Sequence, residues 1–127
     1  MSDKAENAAT PVVDSAIAVH IALGPGLLES TYEACLGFEL QKRGLNVKSQ
    51  VPLPVVYEGC KLEMGYRIDL LIDDCVVVEI KASEGIAPVH RAQLLSYLKL
   101  SGNRIGLLLN FNVVRMKDGI IRMVNGY

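Results

Sequence analysis

The sequence has no excess charge of either sign: its 13 basic and 14 acidic residues leave a formal net charge of -1. No global field therefore marks it as a nucleic-acid or membrane binder, and any anionic partner must be met by a local patch. Cysteine is sparse. Cys35, Cys60 and Cys75 are odd in number and far apart, and none forms a Cys-x-x-Cys pair. That spacing argues against a disulfide framework and against a structural zinc site, and it fits a reducing cytosol. A long uninterrupted hydrophobic run is also missing. Residues 12 to 28 are apolar enough to suggest a signal or anchor segment, but Asp14 and His20 interrupt them, so a soluble, cytoplasmic protein is expected rather than a membrane-bound one. There is no internal repeat.

What is present is enough for one domain. At 127 residues, half of them hydrophobic, the chain should bury roughly two-thirds of its unfolded surface. Residues 1–9 read as a flexible polar tail and 10–127 as the single domain. Thr10-Pro11 offers a cap and a first helical proline, and Val13, Ile17, His20 and Ile21 recur at helical spacing until Gly24-Pro25-Gly26. A second helix is expected over about 27–43, capped by Gly44. Short β-rich runs follow at about 47–57, 61–72 and 76–82, with Pro52 and Pro54 confining the first to an edge or delaying it to Val55. A third helix spans about 89–100, and "RIGLLLNF" at 104–111 reads as a strand buried on both faces. A hairpin turning at Asp118-Gly119 is expected to close the chain. The fold class is thus α/β with an α+β character, in the order ααβββαββ: a central mixed sheet of five to six strands flanked by helices.

The chemistry concentrates in "DLLIDDCVVVEIKA", residues 69 to 82. Glu79 and Lys81 are two apart on a strand, so they share a face, while Val78 and Ile80 take the other. Solvated positions on an open antiparallel face would look the same, but Val76-Val77-Val78 suggests that both faces are covered, where unpaired ions are costly. Asp69 joins them only if the turn has odd length. With a two-residue loop at Asp73-Asp74, Asp69 would sit opposite Val78. With a three-residue loop through Cys75, or a bulge, it falls opposite Glu79, close enough for two carboxylates to share a divalent cation.

Asp69, nine residues, then Glu79-Ile80-Lys81 resembles the D…(D/E)xK core of the PD-(D/E)xK nuclease superfamily. Gly26-Leu27-Leu28-Glu29-Ser30-Thr31-Tyr32 resembles the signature of the GxxExxY protein family within it, and "GYRIDLLI", "VVVEIKA", "QLLSYLKL" and "GLLLNFN" follow in that family's order. The resemblance covers about Val12 to Val124 and implies a restriction-endonuclease-like fold. It implies metal ligation by Asp69, Glu79 and the Ile80 carbonyl, with Glu29 as a third acid and Glu33 in reserve, and Lys81 assisting the attacking water. Mg²⁺ or Mn²⁺ suits such oxygen ligands. Gln93 and Tyr97, four apart on one helix face, resemble the QxxxY motif of RecB-type exonucleases and would border the site. Helix-start carboxylates and helical Gln-Tyr pairs also have ordinary structural uses. Tyr32 could pack or reach the cleft, His20 reads as a packed histidine, and His90 and Arg91 could meet a phosphate.

The function expected is a metal-dependent nuclease acting on DNA or RNA. The alternative is a non-catalytic oligomerisation or nucleic-acid-binding module on the same fold. A homodimer or a partner protein could supply the surface that a small, nearly neutral chain lacks for gripping a polyanion.

Overall fold

The computed structural model describes residues 3–126. Its elements run α1 (Lys4–Leu23), α2 (Glu29–Lys42), β1 (Val47–Pro52), β2 (Val55–Tyr57), β3 (Cys60–Leu62), β4 (Arg67–Ile72), β5 (Val76–Lys81), α3 (Pro88–Ser101), β6 (Ile105–Asn110), a 3-10 turn (Met116–Gly119) and β7 (Ile120–Val124). Five strands form a mixed sheet in the order β1-β4-β5-β6-β7, and β2 and β3 form a separate hairpin. The fold is α+β, consistent with a restriction-endonuclease-like domain. β1 is an edge strand that ends at Pro52, and the chain resumes β structure at Val55, as the two prolines require. β6 is interior and buried along its whole length.

The two faces of the sheet are covered by different helices. On one, Val76, Val78, Ile80, Leu107 and Leu109 pack with Tyr32, Leu36 and Leu40 of α2 and with the alanine-rich face of α1. On the other, Val77 and Leu108 pack with Leu94, Tyr97 and Leu98 of α3. β5 and β6 are parallel, and α3 is the crossover that such a pair needs. Gly106 lets α3 come close: a Cβ there would lie 2.8 Å from a Leu94 methyl.

Two expectations are corrected. The first helix starts at Lys4, not at Pro11, so residues 4–9 are not a tail; Met1 and Ser2 lie outside the described residues. Ala5, Ala8, Ala9 and Val12 follow helical periodicity and are buried, with Asp3 capping through bonds from the Ala5 and Glu6 amides. Asp3 also pairs with Arg104, and Glu6 with Arg122, tying this end to the β6 and β7 region. Packing thus outweighs the cost of Pro11 inside the helix. The second correction is at the C-terminus. Residues 114–124 do not form a hairpin of their own; a 3-10 turn leads into β7, which pairs with β6. Gly119 is needed for close approach, since a Cβ would fall 2.0 Å from the Asn110 carbonyl oxygen.

The N-terminal turns being core, Ala9→Asp should destabilise the protein by at least about 2 kcal/mol in urea denaturation, through a buried unpaired carboxylate. A loose segment would tolerate the change with no measurable shift.

Candidate active site

The turn between β4 and β5 sets the geometry. Ile72 pairs with Val76, leaving Asp73, Asp74 and Cys75 as an odd loop. Asp73 and Asp74 take left-handed φ values of 51° and 55°, a conformation that Asp tolerates better than most side chains. The Asp73 amide and carboxylate both bond to Asn46, which anchors the turn. Continuing this register brings Asp69 opposite Glu79.

At that point the ladder breaks. The paired residues of β4 and β5 stop at Leu70 and Val78. In place of backbone rungs, the Asp69 amide donates to Glu79 Oε2 at 2.8 Å, and the Ile80 amide donates to Asp69 Oδ2 at 2.8 Å. Each carboxylate thus satisfies an amide that the break has freed. The pairing of β1 with β4 skips the same row: Ser49 pairs with Leu70 and Val51 with Ile68, while Gln50 between them has a φ of 52°. A non-glycine residue with left-handed backbone inside a strand is strained. It also reverses the alternation of faces. Val47, Leu70 and Ile72 lie with the α1-α2 core, whereas Val51 and Ile68, of matching parity, lie with α3. The Gln50-Asp69 row is therefore where β1 and β4 switch sides, while β5 keeps its alternation.

α2 brings further acids to this row. Glu33 accepts from Ser49 Oγ at 2.9 Å and from Gln50 Nε2 at 3.0 and 3.1 Å, and the same amide lies 3.4 Å from Asp69 Oδ1. Glu29, one turn earlier, accepts from the Ala82 amide at 3.3 Å, beyond the end of β5. Of the two, Glu33 is the acid coupled to the pair, since its charge raises the proton affinity of both Asp69 and Glu79.

Burial is the largest influence on the pair. Glu79 is pushed from 4.5 to about 8, first by desolvation and then by the charge of Asp69. Asp69 is also raised, chiefly by desolvation, against the opposing bond from Ile80. Lys81 lies two residues beyond Glu79 on the same side of β5, half-buried, where its charge lowers the proton affinity of both acids. On α3, Gln93 Nε2 donates to the Tyr97 hydroxyl at 3.0 Å, and Tyr97 feels the charges of Glu79 and Asp69. The structure thus brings Asp69, Glu79, Lys81, Gln93 and Tyr97 into one neighbourhood. Glu29 and the Ile80 backbone lie at its border.

Other residues hold the frame. Tyr32 is fully buried, stacks on Phe111 at 4.5 Å, donates to the Gly24 carbonyl and accepts from the Leu27 amide. It packs rather than reaching the cleft, and so fixes the loop before Glu29. His20 Nε2 lies 2.7 Å from the Val113 carbonyl, a packing role. His90 Nδ1 accepts from the Ala87 amide, so that nitrogen caps α3. Three contributors escaped the sequence reading. Gln50 and Ser49 carried no signal beyond being polar within a strand. Asn110 did carry one, as the single polar residue in an apolar strand: it accepts from the Ser83 and Asn112 amides and donates to the Ser83 carbonyl, clamping the chain beyond Lys81.

A hard divalent cation fits the pair. Asp69 and Glu79 offer only oxygen, on facing strands, and a cation would offset the repulsion and desolvation that raise their proton affinities. Among the described residues, no group of three His, Cys, Asp or Glu stands at metal-holding separation.

These shifts predict the pH dependence of the cation-free fold. Between 4.5 and about 8 the folded protein retains a proton on Glu79 that the unfolded chain has lost. Stability should therefore fall as pH rises through that window, by a few kcal/mol. Glu79→Gln should flatten most of the decline in urea denaturation, and an unchanged slope would contradict the buried, coupled pair.

No curated protein and no solved structure matches the chain. A family model described as the PD-(D/E)XK nuclease superfamily matches residues 6–123, a span holding most of α1, all of α2 and α3, the broken ladder, and Asp69, Glu79 and Lys81. The chain belongs to the PD-(D/E)XK nuclease superfamily.

Proposed function

We propose that this protein is a divalent-metal-dependent nuclease that hydrolyses phosphodiester bonds of DNA or RNA in the cytoplasm, within the GxxExxY group of its superfamily. The observation that carries the reading is the reciprocal seating of Asp69 and Glu79 on each other's strands, just where the β4-β5 ladder ends. A structural ion pair would put opposite charges there. Two carboxylates held together with raised proton affinity are poised for a cation instead.

Asp69 and Glu79 would hold Mg²⁺ or Mn²⁺, with the Ile80 carbonyl as a further oxygen. The ion would supply Lewis acidity toward the phosphate and a more acidic bound water. Gln50 orients Asp69 and Glu33 together, so Glu33 replaces Glu29 as the favoured third acid. Lys81 offers an ammonium on the same side as Glu79, placed to orient the attacking water and to offset negative charge developing on the phosphoryl oxygens. Gln93 and Tyr97 border the site and hold each other's orientation through their hydrogen bond. Cys35, Cys60 and Cys75 are free thiols, in keeping with a reducing compartment.

Labelled single- and double-stranded DNA and RNA, titrated with Mg²⁺ and Mn²⁺, test the reading. Cleavage should require the cation and fall by roughly 10²- to 10³-fold in Lys81→Ala. Asp69→Ala should abolish it. No cleavage under any condition, with binding indifferent to both substitutions, would instead support a non-catalytic oligomerisation or nucleic-acid-binding module. A second prediction separates the two α2 acids. Glu33→Gln should raise the cation concentration needed by roughly 10- to 100-fold, and Glu29→Gln by much less.

A further inference from the structure

A groove of about 510 Å³ runs between the β2-β3 hairpin and the outer face of α3. Val55 and Tyr66 form one wall, and Val89, Gln93, Tyr97 and Leu100 the other. The spacing along α3 is helical, so this helix carries a second apolar stripe besides the one that Leu94 and Leu98 bury against the sheet. No charged side chain is among the lining residues. The groove adjoins the acid pair through Tyr97, which lines it and also feels the charges of Glu79 and Asp69, and Tyr66 stands three residues before Asp69. Tyr66 meets Tyr97 edge-on, with ring centroids 6.1 Å apart, and remains 45% exposed, which leaves aromatic surface free.

We infer that this groove receives an unstacked nucleobase next to the scissile phosphate, so that the preferred substrate is single-stranded nucleic acid; the inference rests on the nuclease reading above. Three observations support that occupant over a phosphate or a duplex backbone. An uncharged, aromatic-edged slot suits a heterocyclic ring and gives a phosphate no cation. Its polar groups are few: the Gln93 amide, whose NH₂ already bonds Tyr97, keeps its carbonyl as an acceptor, and Ser96 adds a hydroxyl that can read a base edge. The net charge of -1 gives no global field that draws in a polyanion, which leaves stacking a larger share of the affinity. A paired base inside a duplex could not enter without being extruded, whereas a single strand presents its bases freely.

The test measures fluorescence anisotropy of labelled single strands and matched duplexes with the full chain, in a Lys81→Ala background with Mg²⁺ so that the probe stays intact. Single strands should bind more tightly than duplex. Tyr66→Ala should weaken single-strand binding about tenfold, and Tyr66→Phe should preserve it. Leu100→Glu, at a position 39% exposed, should act like Tyr66→Ala by charging the slot while thermal unfolding stays cooperative. Removing one base from the strand should cost the native groove about the same factor and cost Tyr66→Ala nothing further. Equal binding of duplex, indifferent to Tyr66→Ala and Leu100→Glu, would overturn the base pocket while leaving cleavage by the unsubstituted protein, and so the nuclease reading, intact. A dimer in sedimentation that Leu100→Glu dissociates would also overturn it, by assigning the groove to a second copy. Tyr66-dependent binding of single strands by a protein that cleaves nothing would uphold the pocket and defeat the nuclease reading.

Discussion

Two carboxylates that each take over a backbone amide hold this structure's working region together. Asp69 accepts from Ile80, and Glu79 accepts from Asp69, where a continuous sheet would have carbonyl-amide rungs. The exchange lets β4 part from β5 without orphaned amides, and it keeps two carboxyl groups side by side, largely out of water. The remaining features of the site follow from that break. β1 needs a strained Gln50 to stay beside β4, and that residue's side chain gathers Glu33 and Asp69. The change of face along β1 and β4 sends Val51 and Ile68 toward α3, beneath the groove that Tyr66 and Tyr97 border.

The regular part of the sheet supplies the rigidity that such a row requires. β5 and β6 are buried on both sides, and their parallel pairing runs unbroken from Val76 and Ile105 to Lys81 and Asn110. Just past the last pair, Asn110 ties down the segment around Ser83, while Gly119 admits the chain against the Asn110 carbonyl. Lys81 is thus held from the strand behind it and from the loop beyond it. Tyr32 serves the same end from α2, by closing the Gly24 to Leu27 loop over Phe111.

Much of this was legible in the sequence, for identifiable reasons. The odd turn could be posed as a question of parity, because Asp73-Asp74 is a pair suited to left-handed backbone. The two-sided burial of β5 was announced by Val76-Val77-Val78, and that of β6 by its apolar run. What escaped notice has equally physical causes. Ala5, Ala8 and Ala9 form a helical stripe, yet alanine looks neutral beside leucine, so a packed helix end read as a tail. Asp118-Gly119 looked like a hairpin turn, but the glycine is there for space and not for backbone reversal. Gln50 could not be foreseen at all, because a strained residue is set by its neighbours. Glu29 and Glu33 lie on one helical face, and the sequence does not show that Glu33 meets Ser49 and Gln50 while Glu29 meets the Ala82 amide.

We propose that the Asp69 and Glu79 pair holds a cation, with Glu79 kept protonated by burial until that cation arrives. Titration calorimetry with Mn²⁺ at neutral pH, repeated in buffers of different ionisation enthalpy, measures the protons displaced on binding. With Glu79 raised to about 8, binding should release close to one proton per cation, and the release should vanish in Glu79→Gln. Cation binding with no proton release, or release unchanged by that substitution, would contradict the account.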